Sequence, residues 1–184
     1  MARTVYYVAS SLDGFIADPQ DNLDWLMQFN DADGVQDTYR DFIANVGALV
    51  MGAATYQFLL NAGGWEYGSI PAWVFTHHEL PGLPGADITF VRGDVGLYQE
   101  SIRADAGGKD VWVVGGGALA GQYLEAGLLD EMVLTLVPVT LGRGKPLLPV
   151  STARTPAELL GTRTLGGSMV ELHYRFSRPA EPSA

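Results

Sequence analysis

Short runs of alternating or wholly apolar residues recur along this chain, each followed by small or polar residues and then by a stretch of helical periodicity. Such an order predicts an α/β fold with a largely parallel sheet. The pattern predicts strands at Thr4–Ser10, Ala48–Met51, Ala72–Thr76, Ile88–Val91, Val111–Val114 and Glu131–Val137. Two further strands, Glu158–Thr164 and Ser168–Phe176, flank Gly166-Gly167 and read as a closing antiparallel hairpin. Between the strands, Gly34–Val46 is the clearest helix, because Val35, Tyr39, Phe42, Ile43 and Val46 fall on one arc of about 100°. Asp94 is placed to cap a second helix that carries Val95, Tyr98 and Ile102 on one side, and Ala53–Leu60 and Ala118–Ala126 supply two more. Pro81–Gly85 reads as a surface loop and 178–184 as a tail, leaving one domain over residues 1–177.

Four of the predicted strands end in residues that suit a ligand. The segments are 8–17 (VASSLDGFIA), 50–56 (VMGAATY), 74–78 (VFTHH) and 111–119 (VWVVGGGAL). In an open parallel sheet, ligands gather at the carboxyl ends of the strands, where helix N-termini also point. The triple glycine Gly115-Gly116-Gly117 lets backbone N–H groups approach an anion, and the following helix adds a favourable dipole. A dinucleotide pyrophosphate suits that arrangement, and a tight strand-to-helix turn with no ligand accounts for the same glycines.

Composition narrows the partners. With 21 acids against 11 Lys and Arg, the formal net charge is −10 and no basic patch is visible, which argues against nucleic acid. No apolar run reaches the length of a membrane span, and Met1-Ala-Arg-Thr-Val enters a strand at once, so neither a membrane nor a signal peptide is expected. The chain has no cysteine, which excludes disulfides and thiolate metal sites and fits a cytoplasmic protein. Asp18, Asp21 and Asp24 lack the alternating spacing of an EF-hand loop, and His77 and His78 are adjacent on a strand end, so no metal is expected.

Three motifs bring a family into view: 11–17 (SLDGFIA), 113–117 (VVGGG) and the long segment 130–149 (DEMVLTLVPVTLGRGKPLLP). With these in this order, nearly the whole chain resembles the dihydrofolate reductase-like superfamily, most closely the branch containing the reductase domain of bifunctional riboflavin-biosynthesis proteins. No deaminase half is expected, since that would need a His/Cys zinc cluster. The resemblance implies a single mixed, mostly parallel sheet of about eight strands flanked by helices. It also implies NADPH-dependent hydride transfer to a small flat nitrogen heterocycle, a pteridine such as dihydrofolate or a pyrimidine precursor of riboflavin. Carried over by position, Ala9 and Ile16 match contacts to the nicotinamide carboxamide, and Gly52 and Thr55 match the first pyrophosphate turn. Thr76 and His77 match the region around the adenosine 2′-phosphate, and Gly115, Gly116, Gly117, Ala118 and Leu119 match the second phosphate turn. Ala53 stands where the family commonly has an arginine, which leaves NADH open as an alternative cofactor; His77, His78 or Arg92 are the cations at hand to replace it.

At the substrate end, a buried acid is one way to deliver the proton that accompanies hydride transfer. Asp13, in the Ser-Leu-Asp-Gly loop, is one candidate; Asp37, and with it Asp41, is another, on the first long helix but away from its apolar arc. Asp13 has an alternative role as a turn former, and Asp37 as part of a solvated helix face. Arg143, between two glycines, is a candidate for a substrate phosphate, and Trp25 for the wall of a pocket. A nucleotide-binding paralogue or sensor without turnover is the alternative to the enzyme. Relatives of this kind imply a homodimer.

Overall fold

The computed structural model describes residues 2–153 and 156–177, so the tail expected at 178–184 lies outside the described residues. Among the described residues ten strands form: β1 (Thr4–Ser11), β2 (Phe15–Ala17), β3 (Val46–Gly52), β4 (Ala72–Phe75), β5 (Ile88–Val91), β6 (Asp110–Gly115), β7 (Glu131–Val137), β8 (Lys145–Pro146), β9 (Glu158–Leu165) and β10 (Met169–Arg175). The helices are α1 (Asp24–Met27), α2 (Val35–Ile43), α3 (Ala53–Ala62), α4 (Gln99–Asp105) and α5 (Gly117–Glu125), with a 3-10 turn at Val95–Tyr98 before α4.

Eight strands make one sheet in the order β5-β4-β3-β6-β1-β7-β10-β9. The pairings from β5 through β7 are parallel, and β10 and β9 close the sheet antiparallel. This is the dihydrofolate reductase-like architecture, with β1 at the centre. Central strands are buried on both faces, which explains their continuous apolar runs. Tyr6 and Tyr7 show the alternation: Tyr6 joins Val50, Val113, Ala120 and Tyr123 on the α5 face, while Tyr7 stacks on Phe42 of α2 at 4.3 Å on the other. The closing hairpin turns through Gly166 and Gly167 with φ of +55° and +73°, a conformation side chains with a Cβ disfavour.

The helix expected over 34–46 stops at Ile43, and Val46 is instead the buried first residue of β3. Asp110 donates its backbone N–H to Asn45 O at 2.9 Å, drawing this segment into the sheet before the apolar arc is complete. A small second sheet also forms, in which β2 pairs with β8 across the segment that follows β7. Asp94 does cap its turn, accepting from Gly96 N at 2.7 Å. No helix among the described residues is long and apolar enough to cross a membrane.

Candidate active site

Two glycine turns meet at the carboxyl end of the sheet. Gly52 and Gly116 are the N-cap residues of α3 and α5, both with extended backbone, and neither helix has a side-chain cap. The first N–H groups of both helices are therefore left for another acceptor. A Cβ built on Gly52 would lie 3.8 Å from Gly116 N and 4.0 Å from Gly115 O, so the two turns abut. Thr55 reaches the same place from α3, its hydroxyl 3.0 Å from where a Gly115 Cβ would sit. The Gly115–Gly116 peptide is cis.

The five residues expected to share the second phosphate turn have unlike environments. Around Gly116 there is open space, and Ala118 is exposed. Gly117 faces inward instead, since a Cβ there would stand 2.0 Å from Pro146 O. Gly121 meets Pro149 O in the same way at 2.1 Å. The strap 145–149 thus lies directly on the backbone of α5, and its close approach requires a glycine at 117. Leu119 is buried in the core and spends its N–H on Gly116 O at 3.0 Å.

Beyond the ends of β4 and β5 lies a cavity of about 440 Å³ lined by Thr76, His78, Glu79, Phe90 and Arg92 among others. The Thr76 hydroxyl is taken up in a local turn, accepting from His78 N at 3.0 Å and lying 3.1 Å from His78 O. His77 is exposed and not part of this lining, whereas His78 and Arg92 are. Ala53 occupies the first turn of α3, half-buried.

A second cavity, about 290 Å³, opens on the α2 face between β1, β7 and the helices α1 and α2. Ala9 and Thr135, paired across β1 and β7, form part of its floor, and Leu26, Phe29, Leu165 and Met169 are apolar walls. Its polar lining is Tyr7, Asn30, Gln36, Tyr39, Glu66 and Thr135. Burial, and secondarily the charge of Glu171, pushes the Tyr7 phenol well above its usual value. Burial and Glu66 push Tyr39 up to about 12. Both phenols are therefore protonated at neutral pH and able to donate. Trp25 sits on α1, half-buried in the cluster that includes Ala9, Leu26 and Phe29, with its indole Nε1 buried and unpartnered. It backs this wall without lining the cavity.

The expected acids are not in this cavity. Asp37 is on the solvent side of α2, its side chain 76% exposed and paired with Arg40 at 2.9 Å. Gln36, one residue earlier, faces the cavity in its stead. Asp41 is exposed. Asp13 is also exposed and accepts from Ser11 Oγ at 2.6 Å, Leu141 N at 3.0 Å and Gly142 N at 2.6 Å. The Ser11 hydroxyl first, then these amides, hold its carboxyl at a pKa of about 2. In this position the carboxylate latches the 11–14 loop to the backbone of Leu141 and Gly142. The latch belongs to a longer seam, in which Leu12 N donates to Val139 O at 2.8 Å and Leu147 N to Gly14 O at 2.9 Å. Ile16 lies half-buried in β2 within that seam, and Arg143 is exposed on its outer loop.

Gln36, Tyr39, Thr135 and Glu66 were not anticipated from the sequence. Thr135 had a legible signal, a hydroxyl inside the apolar run 131–137; the others read as ordinary surface or core residues.

Comparison with known proteins agrees with this architecture. The chain is 32% identical to the uncharacterized protein YwjB of Bacillus subtilis, over 94% of this chain and 97% of that one. A candidate riboflavin biosynthesis protein from Shewanella sp. PV-4 superposes with a TM-score of 0.82 at 27% identity, covering 97% of this chain and all of the other. Dihydrofolate reductase from Enterococcus faecalis, solved with NADP(H), shares the fold at a TM-score of 0.61 and 16% identity, over 95% and 96% of the two chains. Residues 69–170 match the RibD C-terminal domain. Taken with the abutting glycine turns and the parallel sheet, the match makes this chain a member of the RibD C-terminal domain family.

Proposed function

We propose that the protein is an NADPH-dependent reductase of a small flat nitrogen heterocycle. The observation that carries the proposal is the junction of Gly52 with Gly115-Gly116, where two uncapped helix N-termini present free amides to one place. A Cβ at Gly116 would fill the open space there, so the residues present fit a diphosphate. The strand-end cavity with His78 and Arg92 then suits the adenosine end, and Ala9 on β1 borders the heterocycle cavity. Bound there, the dihydronicotinamide supplies a hydride. The protein's own part is to hold the acceptor flat against Ala9 and Thr135, to exclude water with Leu26, Phe29 and Met169, and to orient polar edges with Gln36 and the two phenols.

Titration of the purified protein with NADPH and with NADH tests this. Micromolar binding of NADPH, and loss of reduced nicotinamide on adding a pterin or aminopyrimidine, is the expected result. Absence of binding to both cofactors refutes it. The second reading is a nucleotide-binding protein without turnover, favoured by the positions of Asp13 and Asp37, neither of which brings a proton to the cavity. It predicts binding with no consumption.

A further inference from the structure

We propose that the cavity on the α2 face takes an unphosphorylated, neutral or cationic heterocycle bearing amine N–H donors, and disfavours phosphate esters. The inference deepens the reductase reading and rests on it for the identity of the cavity, but its charge preference is measured separately.

Three observations point this way. First, among the described residues the only charged side chain lining the cavity is Glu66, and no Lys, Arg or His lines it. Second, the sheet register sets Ala9, Thr135, Glu171 and Arg163 side by side across β1, β7, β10 and β9, so all four lie on the α2 face. Glu171 is only 5% exposed, and its carboxylate is thus buried one strand from Thr135 in the cavity floor. Third, that carboxylate is half satisfied. One oxygen accepts from Arg163 Nε at 2.6 Å, while Oε2 is buried with no partner. The Arg163 guanidinium is already engaged with it, and acceptor capacity remains beneath the floor.

A phosphate monoester carries a charge of roughly −1.5 to −2 at neutral pH. Moving it from water into a cavity with the Glu66 carboxylate at its wall and the Arg163–Glu171 pair below its floor costs desolvation and gains no ion pair from the lining. An amine-bearing ring has the opposite balance, since its N–H groups can use the carbonyl and hydroxyl acceptors of Asn30, Gln36 and Thr135. It also lies favourably in the field of Glu66. Arg143 is outside the lining, on the exposed loop after β7.

The test uses the full chain, with and without saturating NADPH, and three probes: a diaminopyrimidine, an aminopyrimidine nucleoside and the 5′-phosphate of that nucleoside. Calorimetry is expected to show the base and nucleoside binding at least about tenfold more tightly than the phosphate. Glu66→Lys is expected to narrow or invert that ratio, and Glu171→Gln to weaken the diaminopyrimidine while thermal melting reports on the fold. A phosphate ester that binds as well as its nucleoside overturns the proposal, as does a ratio that Glu66→Lys leaves unmoved or a failure of all three probes to bind. Failure of the reductase reading is seen independently, in the NADPH titration.

Discussion

Gly116 and Gly117 are adjacent in sequence and should fail in opposite ways when each is replaced by alanine. At Gly117 the new Cβ would stand 2.0 Å from Pro146 O and 2.7 Å from Leu147 O, where ordinary contact is 3.4–4 Å. Both obstacles are backbone, so α5 or the strap must move by more than an ångström. Overpacking of this kind costs about 1–3 kcal/mol. For a chain of this size each kcal/mol lowers Tm by about 2–4 °C, giving a drop of about 2–12 °C. At Gly116 the φ of −85° is allowed for any residue, and a Cβ meets nothing within 4 Å. Stability should hold or rise by up to about 1 kcal/mol, because alanine restricts the unfolded chain. The same Cβ would project into the space assigned to the diphosphate, and an equal overpacking cost of about 1–3 kcal/mol there is about 5- to 150-fold in the Kd for NADPH. Thermal melting and fluorescence titration of the two variants separate the effects. If Gly116→Ala melts as low as Gly117→Ala, or binds NADPH as wild type does, the assignment of this turn is wrong.

Other consequences concern the acids. Asp13→Asn should accelerate amide hydrogen exchange at Leu141 and Gly142, since the carboxylate that accepts from both is lost. Because the folded pKa of Asp13 is lowered to about 2, the latch is complete above the unfolded value of about 4 and opens as pH falls through 2. A pH–rate limb between 5 and 8 that disappears in Asp13→Asn would contradict this. Asp37→Asn should change stability by less than about 0.5 kcal/mol, given the exposure of its pair with Arg40, and should leave turnover within about twofold. Gln36→Ala, one residue away, should raise KM for the heterocycle; equal effects from the two would refute the facing assigned to α2. Glu131→Ala should destabilise markedly in denaturant unfolding, because a buried carboxylate there accepts from Arg3 at 2.9 Å and lies 2.8 Å from His173 Nε2. The loss belongs near the lower end of about 3–5 kcal/mol, since Arg3 and Arg175 can reach water. A change below about 1 kcal/mol would show the cluster to be inert.

Strand and hairpin positions were legible because their causes are local. Alternation along Thr4–Ser11 commits Tyr6 and Tyr7 to opposite faces whatever the partner strands are, and Gly166-Gly167 demands a turn wherever the hairpin lies. The glycines that end β3 and β6 likewise announce strand-to-helix turns, and the long 130–149 motif marks the family. Contacts between distant residues settled the rest. Asp13 becomes an ionised latch through amides 128 and 129 residues away, and Gly117 is claimed by the carbonyl of Pro146. Val46 fits the arc of α2, yet hydrogen bonding to the strand at Asp110 is cooperative and captures it for β3. Glu171 reads as one polar residue in the closing hairpin until the register sets it beside Thr135. Periodicity specifies which residues turn inward. Which inward groups are left without a partner, and so remain to bind a ligand, depends on the packing of segments that the chain brings together only on folding.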